Sequence, residues 1–127
     1  MPEYLLDTGV LVRHLRGYRE VMDHFLQAAG QGELFVSVLS RTEILRGMRD
    51  HERARTKALL DTLLPLPVDV ATADLAGDLM RDYLQKGFTL ELADTIIAAT
   101  AIRHELILAT YDRKGFPMPE LRLADLP

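Results

Sequence analysis

The sequence predicts an α/β fold: a central parallel sheet with helices on both faces, in three α/β/α layers. Short apolar runs of strand length alternate with longer segments whose apolar residues recur at helical spacing. The short runs are continuously apolar rather than alternating, as strands covered on both faces should be. A length of 127 residues gives room for one domain with a sizeable core.

In chain order, "YLLD" (4–7) reads as a buried strand ending in Asp. "YREVMDHFLQAAGQG" (18–32) places apolar residues at 18, 21, 22, 25, 26 and 29, a helical pattern closed by Gly30 and Gly32. "LFVSV" (34–38) is a second strand. A helix follows from Ser40 to Met48, then a charged helix over 51–64. "LPLPV" (64–68) is extended, and its two prolines suit a strand end or a sheet edge. "ATADLAGDLMRDYLQKG" (71–87) is an amphipathic helix with Gly at its end. "LELADTIIAATAIRHE" (90–105) is a helix that is apolar almost throughout from Leu92 to Ile102. "LILAT" (106–110) and "LRLA" (121–124) add two strands. There is no repeat, low-complexity tract or linker, so residues 1–127 are expected to form a single domain.

Composition narrows the function classes. The chain has no cysteine, which excludes disulfides and thiolate metal sites and suits the cytoplasm. No apolar run approaches the roughly 20 residues needed to span a bilayer. The start "MPEYLLDTG" lacks the basic residues and long apolar stretch of a signal peptide. A net charge of −4 excludes a general polyanion binder, so nucleic-acid contact would need a local basic surface or a bound cation.

Four carboxylates carry the chemistry. Asp7 ends the first strand, Glu43 lies just past the second, and Asp112 follows "LILAT". Asp94 stands near the start of the apolar helix, on the face of Ile97, Ala98 and Ala101. In parallel sheets ligands gather beyond the carboxyl ends of the strands. One like-charged pair at about 4 Å and an effective dielectric near 20 costs roughly 4 kcal/mol, a penalty that a divalent cation removes. The four histidines, His14, His24, His51 and His104, show no paired ligand spacing and read as surface or partly buried. Oxygen-only donors favour Mg²⁺ or Mn²⁺ over zinc. Each acid also has a structural role open to it. Asp7 can cap the next helix, Glu43 can close a capping box with Ser40, Asp112 can shape a turn, and Asp94 can hold a hydrogen-bond partner.

"YLLDTGVLVRHL", "SVLSRTEILRG" and "LELADTIIAATAIRHELILATYDRKGF" together contain these acids in order. In them the chain resembles the PIN-domain family along essentially its whole length, and most closely the VapC-type toxins of bacterial and archaeal toxin–antitoxin pairs. The resemblance implies a PIN-like domain acting as a metal-dependent endoribonuclease. It makes Asp7, Glu43, Asp94 and Asp112 the metal-binding catalytic set, with Asp7 and Asp94 holding Mg²⁺ (or Mn²⁺) most directly. Thr8 and Thr110 match small hydroxyl positions that line the site. Gly115 stands where the family often has His or Asp before Phe116.

The resemblance also implies an RNA substrate, a small antitoxin partner, a homodimer and a cytoplasmic setting. Residues 41–57 carry six cations against three acids, and Arg41, Arg46 and Arg49 are candidate RNA contacts. Arg13, Arg16 and Arg19 form a second basic stretch. Val10, Leu11, Leu15, Leu45 and Met48 are candidates for a groove that takes an amphipathic antitoxin segment. Two other readings stay open. A haloacid-dehalogenase-type phosphohydrolase also has an Asp at the end of its first strand, but needs D-x-D where this chain has Asp7-Thr8-Gly9. A catalytically inactive PIN-like interaction module would be expected to have lost acids that this chain keeps.

Overall fold

The computed structural model describes residues 2–127. Five parallel strands form one sheet: β1 (Tyr4–Leu6), β2 (Leu34–Ser37), β3 (Leu64–Leu66), β4 (Ile107–Ala109) and β5 (Arg122–Leu123). Their spatial order is β3-β2-β1-β4-β5, so β3, with Pro65, is an edge strand, one of the two places its prolines suit. β1 lies at the centre, pairing Leu5 with Phe35 on one side and with Leu108 on the other. Six α-helices connect the strands: α1 (Thr8–Leu15), α2 (Glu20–Ala29), α3 (Val38–Gly47), α4 (Arg53–Leu60), α5 (Val70–Gln85) and α6 (Leu92–Arg103).

Strand side chains alternate between faces, and the core divides accordingly. Leu6, Val36 and Ala109 pack with Val10, Leu11, Met22, Phe25 and Leu60 on one side of the sheet. Leu5 and Leu108 pack with Leu79, Ile97, Ala98 and Ala101 on the other. The result is the expected three-layer arrangement, with α1, α2 and α4 on one face and α5 and α6 on the opposite one.

The structure departs from the sequence pattern in three places. Residues 8–15, left unassigned by that pattern, form α1, which begins directly after β1 with Asp7 as its N-cap. The charged helix of 51–64 is shorter: a 3₁₀ turn (Asp50–Glu52) precedes α4, and the chain leaves the helix at Leu60 to bury Leu63 and enter β3. The Ser40–Glu43 capping box does not form. β2 ends at Ser37, whose hydroxyl accepts from the Leu39 N–H at 3.1 Å, so α3 starts earlier and Ser40 is buried inside it.

The α6 helix is buried on most of its circumference by Thr95, Ile97, Ala98, Ala99, Thr100 and Ala101. Its two buried threonines stay satisfied by donating to carbonyls one turn back, Thr95 to Glu91 (2.7 Å) and Thr100 to Ile96 (2.8 Å). Arg103 fastens the helix to α5 through Asp69 (3.0 and 3.1 Å) and Thr72 (3.1 Å). Small side chains let α6 approach the sheet closely, which leaves little tolerance for added volume. Ala98→Leu is therefore expected to cost about 1–3 kcal/mol in urea unfolding; an unchanged midpoint would show that this layer is slack.

Candidate active site

The chain winds from β1 outward through β2 to β3, then returns across the sheet to place β4 on the other side of β1. That reversal opens a crevice beyond the carboxyl ends of β1 and β4. Asp7 stands at the end of β1, Asp112 in the loop after β4, Glu43 on α3 and Asp94 in the first turn of α6, all toward this end of the sheet.

Asp7 is buried, with 8% of its surface exposed. One oxygen accepts from the Thr8 N–H at 2.8 Å and the other from the Thr110 hydroxyl at 2.7 Å. Burial pushes its carboxyl above the usual range; these two bonds pull it down, and the charges of Glu43 and Asp112 push it up again. Thr8 serves a second acid: its hydroxyl donates to Glu43 at 2.8 Å and lies 2.9 Å from the Ser40 hydroxyl. Ser40 is thus part of the site, and its spacing in "SRTE" had suggested only a cap.

Asp94 is half-buried, and its carboxyl is pushed up to about 6. Burial is the largest cause, followed by the charges of Glu91, Asp7, Asp112 and Glu43. Glu91 was not among the expected site residues. It caps α6 by accepting from the Ala93 and Asp94 N–H groups at 3.0 and 2.7 Å. The signal was present in "ELAD", three residues before Asp94, a spacing typical of a cap. Asp112 does shape its turn, accepting from the Gly115 N–H at 3.2 Å. A Cβ on Gly115 would stand 2.8 Å from Asp112 Oδ2 and 3.0 Å from Asp94 Oδ2. The missing side chain keeps open the space on which these two carboxylates converge.

Among the described residues, none of the four acids is ion-paired with Lys, Arg or His, since the salt bridges join other residues. Nor, among these residues, does any group of three or more His, Asp or Glu side chains stand ready to hold a metal ion. Uncompensated like charges spread rather than close. The donor set is nevertheless that of a hard divalent cation: carboxylate oxygens bordered by hydroxyls, with the Gly115 gap between two of them.

Sequence comparison agrees with this architecture. The PIN domain model matches residues 4–118. The chain belongs to the PIN-domain family. Among its PIN-domain relatives, Ribonuclease VapC10 of Mycobacterium tuberculosis is 40% identical over 116 residues, covering 91% of this chain and 87% of the relative. A toxin–antitoxin complex from Klebsiella pneumoniae contains a chain with a TM-score of 0.78 and 29% identity, covering 93% of this chain and 94% of that one. The DNA-bound VapBC structure from Salmonella typhimurium has a TM-score of 0.86 at 21% identity, with 98% of both chains covered, and so shares the PIN fold.

The basic residues are distributed unevenly around this PIN-domain site. Arg41 pairs with Asp61 at 3.3 Å, Arg46 is exposed, and Arg49 lines a groove of about 370 Å³ whose wall includes Glu43. Val12, Leu15 and Met48 supply apolar lining there. Val10 and Leu11 do not: both are fully buried in the core, because they lie on the inward face of α1, while Leu45 packs partly against that core. Among the described residues, no helix is long and apolar enough to cross a membrane.

The raised Asp94 carboxyl has a consequence for the metal-free protein. A folded-state value near 6 against an ordinary 3.8 means that the contribution of Asp94 to stability is present below about 3.8 and lost as pH rises through about 6. Asp94→Asn should therefore melt at a higher temperature than wild type at neutral pH, with the difference shrinking as pH falls through this window. Parallel melting temperatures across the whole range would show that Asp94 is not strained by its neighbours.

Proposed function

We propose that the chain is an endoribonuclease toxin of the VapC type, a metal-dependent hydrolase of RNA phosphodiester bonds restrained by an antitoxin. One observation carries the reading: four acids without ion pairs, from four separate segments, are brought together, Asp7 and Glu43 on Thr8, Asp7 and Asp112 on Thr110, and Asp94 and Asp112 around Gly115. The ribonuclease name of the 40% identical relative supports the activity. Asp7 and Asp94 would hold Mg²⁺ or Mn²⁺, with Glu43 and Asp112 completing the shell; when bound, the ion supplies an acidified water and neutralises phosphate charge.

The remaining work belongs to the side chains. Thr8 and Thr110 fix both oxygens of Asp7, so its orientation is set before substrate arrives. The Thr8 hydroxyl holds Glu43, leaving its second oxygen to accept a proton from the attacking water or orient it. In-line attack leaves a 5′-phosphate and a 3′-hydroxyl. No protein nucleophile is required, and Ser40, buried against Thr8, is poorly placed for that role. The phosphohydrolase alternative falls with the family, and the interaction-module alternative is disfavoured by the complete acid set.

The partner reading rests on the complexed Klebsiella relative and on the groove beside Glu43. Its apolar Val12, Leu15 and Met48 suit an amphipathic segment, and the nearby acids would attract a cation from it. A homodimer belongs to the same reading, supported by exposed Leu84, Phe88 and Leu92 around the α5–α6 connection. The setting is the cytoplasm, where RNA and the antitoxin are made.

RNA cleavage should require Mg²⁺ or Mn²⁺, stop in EDTA, and fall by at least about a thousandfold in Asp94→Asn, since an amide is a poor cation ligand. Undiminished cleavage in chelator, with metal absence verified by elemental analysis, would sink the mechanism. Expression of the chain alone should arrest growth. Co-expression of the adjacent gene, or an Asp7→Asn substitution, should relieve the arrest. Normal growth at high expression in the native host lacking the neighbouring gene would remove the toxin role.

A further inference from the structure

A second pocket, of about 280 Å³, lies where the end of α1 faces α4, walled by His14, Leu15, Arg16, Arg19, Arg55 and Leu59. We propose that it is a phosphate site for the RNA backbone flanking the bond that is cut, an inference that rests on the endoribonuclease reading. Leu15 and Arg16 also line the groove that contains Glu43, so pocket and acid centre are connected along one face.

Charge supports this occupant. Among the described residues Arg16 and Arg19 form no ion pair, and the exposed Arg55 pairs with the half-buried Glu52 at 3.4 Å, a contact worth little. His14 Nδ1 is buried there without a hydrogen-bond partner among the described residues. Burial, and then the Arg19 guanidinium, hold the imidazole below its usual range, with Asp23 opposing them. Burial and the Arg19 charge thus favour the neutral form of the His14 ring beside these arginines. The chain as a whole carries −4, and its acid centre repels a polyanion. A divalent ion would neutralise phosphate only at the centre itself, so the flanking strand needs further cations, and phosphate contacts of this kind position a strand without reading its sequence. An acidic protein segment is the competing ligand; continuity with the acid centre favours RNA.

The test compares wild type with Arg19→Gln/Arg55→Gln, whose altered side chains are exposed and leave the core intact. KM and kcat are measured across a salt series with a long single-stranded RNA and with an oligonucleotide short enough to occupy the acid centre alone. For the long RNA, KM should rise about tenfold at low salt, and the slope of its logarithm against log salt should shrink by about 1.4, at about 0.7 for each lost phosphate contact. kcat should hold, and the short substrate should be cut equally by both proteins. Wild-type cleavage with an unaltered KM and salt slope in the variant would overturn the pocket while leaving the nuclease reading standing. So would a variant that binds RNA normally but loses its hold on the co-expressed partner protein. A wild-type chain that cuts neither RNA with metal present would overturn both.

Discussion

The hydrogen bond from Thr110 to Asp7 joins the ends of β1 and β4 where the sheet reverses direction, and the acid centre is built outward from it. Asp7 is too deeply buried to stay charged without donors. Thr110 comes from the far strand and Thr8 from the next turn of chain, so the carboxylate is fixed to both walls of the crevice. Thr8 then extends the same unit to Glu43 through its hydroxyl. The other half of the centre is looser. Asp94 and Asp112 meet around a missing side chain at Gly115; Asp112 is tied to Asp7 through the Thr110 hydroxyl, which accepts from the Asp112 N–H at 3.0 Å, while charge relates Asp94 to Asp7 and Glu43.

Much of this was legible in the sequence because burial and alternation leave strong marks. Five strands and the order of the long helices follow from apolar runs and helical spacing, and the prolines of "LPLPV" suited a strand end or a sheet edge, of which the sheet order selects the edge. The four acids stood out because each follows a strand or interrupts an apolar helix. Helix beginnings were harder to place. Both Ser37 and Ser40 can cap, and only the end of β2 decides between them. Glu91 looked like part of a helix start because it is one, and its effect on Asp94 exists only in three dimensions. The sequence likewise offered Val10 and Leu11 for a groove, although the direction of α1 turns both inward.

Packing on the far face of the sheet sets the position of Asp94. The run of Ala and Thr on α6 brings that helix down onto β1 and β4, and Arg103 pins its far end to α5. A helix with larger inward side chains would ride higher and carry Asp94 away from Asp7. The apolar character that made Asp94 look out of place is therefore what delivers it to the crevice, with its desolvation as the cost.

Asp7 and Thr110 are 103 residues apart in sequence, and Thr110, just past β4, is made after β1, β2 and β3. The chain up to Leu66 carries β1, β2 and β3 with Asp7 and Glu43, but without β4 one wall of the crevice is missing. Pairing of such distant segments is slow and late in folding. A nascent or truncated chain thus holds two acids with no opposite wall, and the centre closes only after the segment containing β4 has left the ribosome. The topology itself keeps the acid centre open until the segment around Thr110 has joined β1.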